Sequence, residues 1–311
     1  MRNLIVAAAV IGVGGYFGAK FYVQYKAAQD LDALLTQARP FVDVDYDAVV
    51  ATLSGELRVE GVTLHMPQFE DAVTIESVGV QTPGFLFLLG FDKRNLEFPE
   101  RLGVAFEGIR VSADADFMRS LDGLRAAQGA VELTPAEQCA STAGFTPAML
   151  KRLGYHEVVS DFTLSFRREA DRLVVAFGAD VEDMYDVDVE LTLEGIADPT
   201  AIVRGVRPMF VGGRLDYVDQ SLNDRIMKHC AEQQVTPEDV LAVQLREAHD
   251  LAREAGMELD ELIIQPYTDF LLGKQRFTLT SQPPRPVDLT RLSLYKPSDV
   301  PNLLNLTAEA G

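Results

Sequence analysis

Residues 57–66 read LRVEGVTLHM, and the apolar side chains change parity partway along. Leu57 and Val59 share one parity, whereas Val62, Leu64 and Met66 share the other, with Gly61 at the crossing. A strand alternates its side chains between two faces, so a slip of one residue sends every later side chain to the opposite face. The same reversal recurs downstream. In VTIESVGV, Val73 and Ile75 give way to Val78 and Val80. In VAFEGIRVSA, Val104 and Phe106 give way to Ile109, Val111 and Ala113 across Gly108. One bulge in each strand would account for all three and would bend and twist the sheet, whereas a strand–turn–strand break is the plainer reading of any single glycine.

Elements occur in blocks. Helical periodicity marks 117–128, and threonine–proline pairs at Thr134-Pro135 and Thr146-Pro147 open two more helices. Threonine caps free N–H groups, proline suits the first helical position, and Glu137 completes a capping box with Thr134. Strands resume at 161–167 and 173–177. The cleanest alternation follows, with Val187, Val189, Leu191 and Leu193 set against Asp186, Asp188, Glu190 and Thr192. A strand over about 203–217 leads to a second helical block, in which Thr236-Pro237 repeats the start signal and 259–272 carries Pro266. The last strands fall at 276–281 and 289–294, on either side of a stiff PPRP turn. Blocks of strands and helices predict an α+β fold with a curved, mainly antiparallel β-sheet, preceded by an N-terminal transmembrane helix. The expected divisions are an anchor over 1–26, a helical stalk and linker over 27–45, sheet-plus-helix halves over 46–155 and 156–296, and a tail over 297–311.

The anchor rests on LIVAAAVIGVGGYFGAKFYV at 4–23, whose only charge is Lys20. As a helix, twenty such residues span roughly 30 Å, the thickness of a bilayer core. A cleaved signal peptide is the alternative, but the candidate cleavage sites place Phe17 or Tyr25 where small residues are required. Gly14 and Gly18 form a G-x-x-x-G pair that allows close helix packing in a membrane. The preceding glycines fail as a dinucleotide loop, because Phe17 occupies the third glycine position.

The formal net charge of −19 excludes phosphate-backbone binding, which depends on clustered Lys and Arg. No nucleic-acid partner is expected. Cys139 and Cys230 lie in two helical segments. A disulfide between them in an oxidising compartment is one reading, and two separately buried thiols is the other. Neither belongs to a C-x-x-C motif. The four histidines form no zinc motif, and no G-x-S-x-G elbow or phosphate loop is present. The acidic series Asp180, Glu182, Asp183, Asp186, Asp188 and Glu190 splays along a strand face instead of wrapping a calcium ion. No metal, cofactor or catalytic residue is assigned, and the chain is not read as an enzyme.

One stretch stands apart. TPGFLFLLG at 82–90 places five large apolar residues after a break at Pro83-Gly84. It reads either as a buried strand end or as an exposed apolar patch at the mouth of a groove.

Several short runs carry a resemblance: GELRVEGVTL at 55–64, Leu153-Gly154-Tyr155 with Asp161 behind it, YVDQSL at 217–222, and the late PPRPV. Together they resemble YdgA-like single-pass bacterial envelope proteins and, more distantly, AsmA-like envelope proteins. The resemblance implies an inner-membrane anchor with the bulk of the chain in the periplasm, and a curved β structure with an apolar groove associated with phospholipid. With the bent strands, it leads to a groove that handles lipid or a lipidated partner, lined by Val62, Leu64, Met66, Phe85, Phe87, Val104 and Phe106. The second class is a non-catalytic scaffold subunit of an envelope complex.

Overall fold

A computed structural model describes residues 22, 24–29, 31–32, 35–36, 42–66, 69, 71–84, 87, 99–116, 118–120, 133–141, 146–196 and 207–311. Residues 1–21 and 23 of the expected anchor, with Gly14 and Gly18, and most of the helix over 117–128 lie outside these residues. No described helix is long and apolar enough to cross a membrane. The chain is α+β with mainly antiparallel, curved sheet. It divides into two compact units, residues 1–109 with 165–167 and residues 110–164 with 168–311.

In the first unit, β1 (Asp43–Asp45) and β2 (Ala48–Ala51) both pair antiparallel with β3 (Glu56–His65), which pairs with β4 (Ala72–Gln81). The strand β5 (Arg101–Ser112) follows β4 in the sheet, and its residues to Ile109 belong to this unit. The turn into β3 is tied to the strand end at Thr82, whose N–H and hydroxyl both donate to the Gly55 carbonyl at 2.9 and 2.7 Å.

The three parity changes prove to be one feature. Glu60 faces Ser77 and Val62 faces Ile75, so the β3–β4 register continues unshifted past Gly61, which stands against Glu76. This corrects the expectation of an extra residue in each strand: both strands change parity together, and nothing is inserted. The β1 and β2 registers on β3 are likewise continuous, which sets Asp47 against Gly61. On the far side, a Cβ built on Gly108 would fall 2.7 Å from the Glu76 Cβ. Asp47, in the connection between β1 and β2, thus forms a row with Gly61, Glu76 and Gly108 of three successive strands, with φ of +63° at Gly61 and +62° at Gly108. Left-handed backbone in a strand is a glycine conformation, and each glycine also makes room for an acidic side chain from the next strand.

In the second unit the order is β6 (Glu157–Glu169, apart from 165–167), β7 (Arg172–Val181), β8 (Tyr185–Glu194), β9 (Met209–Asp219), β10 (Arg276–Ser281) and β12 (Leu306–Ala310). The short β11 (Val287–Asp288) also pairs with β9. A bulge interrupts the β8–β9 register between Thr192 and Leu193. Two short helices, α1 (Pro135–Ala140) and α2 (Pro147–Arg152), precede β6. Between β9 and β10 come α3 (Leu222–Glu232), α4 (Pro237–Glu254) and α5 (Glu261–Leu271), the last with Pro266 inside. The segment read as a strand over 289–294 is a 3₁₀ helix instead. Asp288 accepts from the Thr290 N–H at 3.0 Å and turns the chain as soon as β11 ends. The residues taken for a tail contain α6 (Val300–Leu304) and β12.

The threonine starts behave as the sequence indicates. Thr134, Thr146 and Thr236 accept from the N–H groups of Glu137, Met149 and Asp239, and Glu137 closes the capping box. Thr236→Ala is expected to cost about 1 kcal/mol, read as a lowered melting temperature of the purified protein. Cys139 and Cys230 are joined as a disulfide with a Cα–Cα distance of 5.5 Å, tying α1 to α3. Around them lies a buried cluster that includes Met149, Leu153, Val181, Ile226 and Val240.

Candidate functional site

In the second unit one sheet face is apolar. Ala179, Val187, Tyr217 and Phe277 are successive cross-strand partners, as are Phe177, Val189, Leu215 and Leu279. Helices cover the first row. The Tyr217 ring stacks on Tyr185 at 5.6 Å and meets Phe270 of α5 edge-on at 5.3 Å, while Tyr267 meets Phe277 at 5.5 Å. Burial drives the Tyr217 hydroxyl well above its ordinary pKa, so it stays protonated within the cluster. Further along the strands Phe210 is buried with Val287, Val300 and Leu304, and Leu193 packs against them.

Between these two covers the face is open. Along β7 the alternate side chains are exposed by 4% at Val181, 8% at Ala179 and 40% at Phe177, with Val175 half-buried and Leu173 at 3%. The opening extends sideways, with Leu191 on β8 exposed by 40% and Leu164 on β6 by 54%. Thr163 lies against Gly178, so Leu164 stands opposite Phe177, and the Phe162 ring lies 6.4 Å from the Phe177 ring. Gly213 faces Leu191, and a Cβ there would sit 2.9 Å from Leu191 Cδ2, so the glycine lets Leu191 lie flat across β9. The result is a strip of apolar floor crossing the strands between two packed flanks. Large contiguous apolar exposure of this kind marks binding surfaces.

The opposite face is polar. Asp186 is cross-strand partner to Asp180, and its pKa is raised by burial first and then by the charges of Asp188 and Asp180. Asp216 is held below the usual carboxylate range by its hydrogen bond from Arg214, with a second from the Thr278 hydroxyl at 2.7 Å. Among the described residues no three acidic, histidine or cysteine side chains are grouped to hold a metal ion. Near α3, the Arg225 guanidinium lies 4.3 Å over the Tyr155 ring and donates to the Leu153 carbonyl at 3.1 Å. The Tyr155 hydroxyl donates to the Asp183 carbonyl at 3.0 Å. The Tyr155 hydroxyl also lies 3.2 Å from the Ser221 Oγ, so the runs LGY and YVDQS meet as a structural clamp that holds α3 against the sheet.

The groove residues named from the sequence lie in the first unit. Val62 is buried and Leu64, Met66, Phe87 and Val104 are half-buried, while Phe106 is 36% exposed; Phe85 lies outside the described residues. A Cβ on Gly79 would lie 3.8 Å from the Ala105 Cβ, so Val104 and Phe106 share the parity of Val80 and Val78. Along the strands they lie on one side of the Gly61–Glu76–Gly108 row, and Val62 and Leu64 lie on the other. The open strip of the second unit carried a sequence signal only in part. Alternation marks Phe162, Leu164, Phe177, Val189 and Leu191 as one apolar face, but which rows a helix covers is decided by tertiary packing.

A family model described as an uncharacterized protein matches residues 178–311, which run from the middle of β7 through β12. No curated protein matches the chain.

Proposed function

We propose that this is a membrane-anchored, extracytoplasmic protein that holds the acyl portion of a lipid, or of a lipidated partner, on the open strip of its second unit. The observation that carries the reading is the exposure of Phe177 between buried Ala179 and buried Leu173 on one strand. An acyl chain laid across the strands would cover Leu164, Phe177 and Leu191. Each is already partly buried, so the gain is about 1 kcal/mol per side chain. The Cys139–Cys230 bond supports an oxidising compartment, and the apolar segment at 4–23 supplies the tether. With a net charge of −19, recognition of anionic headgroups is disfavoured and the apolar contact carries the binding. The resemblance to AsmA-like envelope proteins points the same way. No covalent chemistry enters the proposal.

The test is direct. Full-length protein purified in mild detergent is extracted with organic solvent, and bound lipid is quantified by mass spectrometry. Phe177→Asp is expected to reduce retained lipid at least tenfold while leaving the melting temperature within a few degrees, because the side chain already meets solvent. Wild-type lipid stoichiometry in that variant would sink the reading. A scaffold role is the second reading, favoured by the free sheet edge described next.

A further inference from the structure

The strand β12 ends the order of the second-unit sheet and pairs only with β10. Which of its backbone groups are spent follows from the register. Arg276 and Gly311 exchange both hydrogen bonds, at 3.0 and 2.9 Å. In an antiparallel ladder such pairs alternate, so Thr278–Glu309 and Thr280–Thr307 are bonded pairs too. The N–H and C=O groups of Leu306, Ala308 and Ala310 then point away from β10, and no described residue takes them up.

Sheet edges are commonly blunted by proline, lysine, bulges or inward charges. LTAEA at 306–310 contains none of the first three, and its one charge, Glu309, is exposed on the polar face. On that face β12 borders a concavity of about 390 Å³ whose lining includes Thr278, Thr280, Asn305, Thr307 and Glu309. Arg214 also lines it, but its guanidinium is held by Asp216, with Nη2 2.8 Å from Oδ1. Glu309 makes no direct ion pair among the described residues, and its charge reaches Arg214 only at longer range. On the other face Ala308 and Ala310 pack against the Phe270 cluster, leaving room only for slim side chains beside them.

We propose that β12 accepts an added β-strand from a partner protein: an extended segment with lysine or arginine on the side facing Glu309 and small aliphatic residues on the other. Backbone bonds to Leu306, Ala308 and Ala310 would give affinity, and the cation at Glu309 would give register. A second copy of this chain is the poorer occupant, because two molecules of net charge −19 repel and β12 offers no cation.

The probe is a fluorescent peptide of alternating valine and lysine, with a valine–glutamate peptide as control, titrated onto the full-length protein and read by anisotropy. Ala308→Pro removes an outward N–H and blocks strand addition without touching a bond to β10. It is expected to weaken the lysine peptide at least tenfold, and Glu309→Gln about threefold. Protection of the Leu306, Ala308 and Ala310 amides from hydrogen exchange by bound peptide gives a readout that does not depend on the proline variant folding. Equal binding to wild type and Ala308→Pro, or no amide protection, would overturn the proposal by showing mere charge adhesion. Concentration-dependent dimers abolished by Ala308→Pro would overturn it in favour of self-pairing.

Discussion

Removing the Cys139–Cys230 bond, by the double change Cys139→Ala/Cys230→Ala, will lower the stability of the second unit by about 4–5 kcal/mol. The bond joins residues 91 positions apart, so in the unfolded chain it closes a long loop. Its loss returns that loop's conformational freedom to the unfolded state. A local effect adds to the global one. The helix α1 has six residues, too few to persist without tertiary support, and the bond to α3 is its covalent hold on the cluster around Met149 and Val240. Alanine is preferred to serine because both cysteines are fully buried and a hydroxyl there would have to be desolvated. Urea unfolding monitored by circular dichroism checks the value, and a midpoint unchanged within the error of the fit would show that the loop is already constrained when unfolded. The same burial predicts that a reductant in native buffer leaves the melt unaltered over minutes, and that partial denaturation is needed before reduction begins.

What the sequence discloses here is local, and what it conceals is tertiary. Thr134, Thr146 and Thr236 each cap a helix because capping needs only a hydroxyl, a backbone turn and the next three residues. The alternation over 186–193 is the strand Tyr185–Glu194, since one wet face and one packed face impose period two without help from elsewhere. The alternation over 289–294 has the same look and fails: after Val287 and Asp288 pair with β9, the Asp288 side chain bends the backbone into 3₁₀ geometry. The opposite error befell 306–310, where small side chains give too weak a pattern to announce a strand that pairs fully with β10. The open strip is half visible in the same sense. Apolar parity identifies the face, but the gap at Phe177 exists because α5 stops covering at one row and α6 begins at another.

The row of Asp47, Gly61, Glu76 and Gly108 shows what a parity pattern can and cannot convey. Three separate reversals suggested three bulges, yet the registers on β3 run unbroken, so strand order and not insertion lines the reversals up. The row makes Gly108→Ala a severe substitution. At φ +62° an L-residue costs roughly 1–2 kcal/mol in backbone energy alone. Its Cβ would also lie 2.7 Å from the Glu76 Cβ, an atom fixed to its own strand, so two backbones must separate and the total is expected to reach about 3 kcal/mol. Gly61→Ala has the same backbone penalty but meets Asp47 Oδ2 first, at 2.0 Å, the far end of a side chain that can rotate away. A double-mutant cycle separates the two terms. Asp47→Ala should recover part of the Gly61→Ala loss, leaving the backbone penalty, whereas Glu76→Ala should recover little at Gly108 because alanine keeps the offending Cβ. Equal recovery at both sites, measured by urea midpoints, would mean that side-chain crowding alone sets the row, and that the left-handed backbone at the two glycines is not what turns the strands.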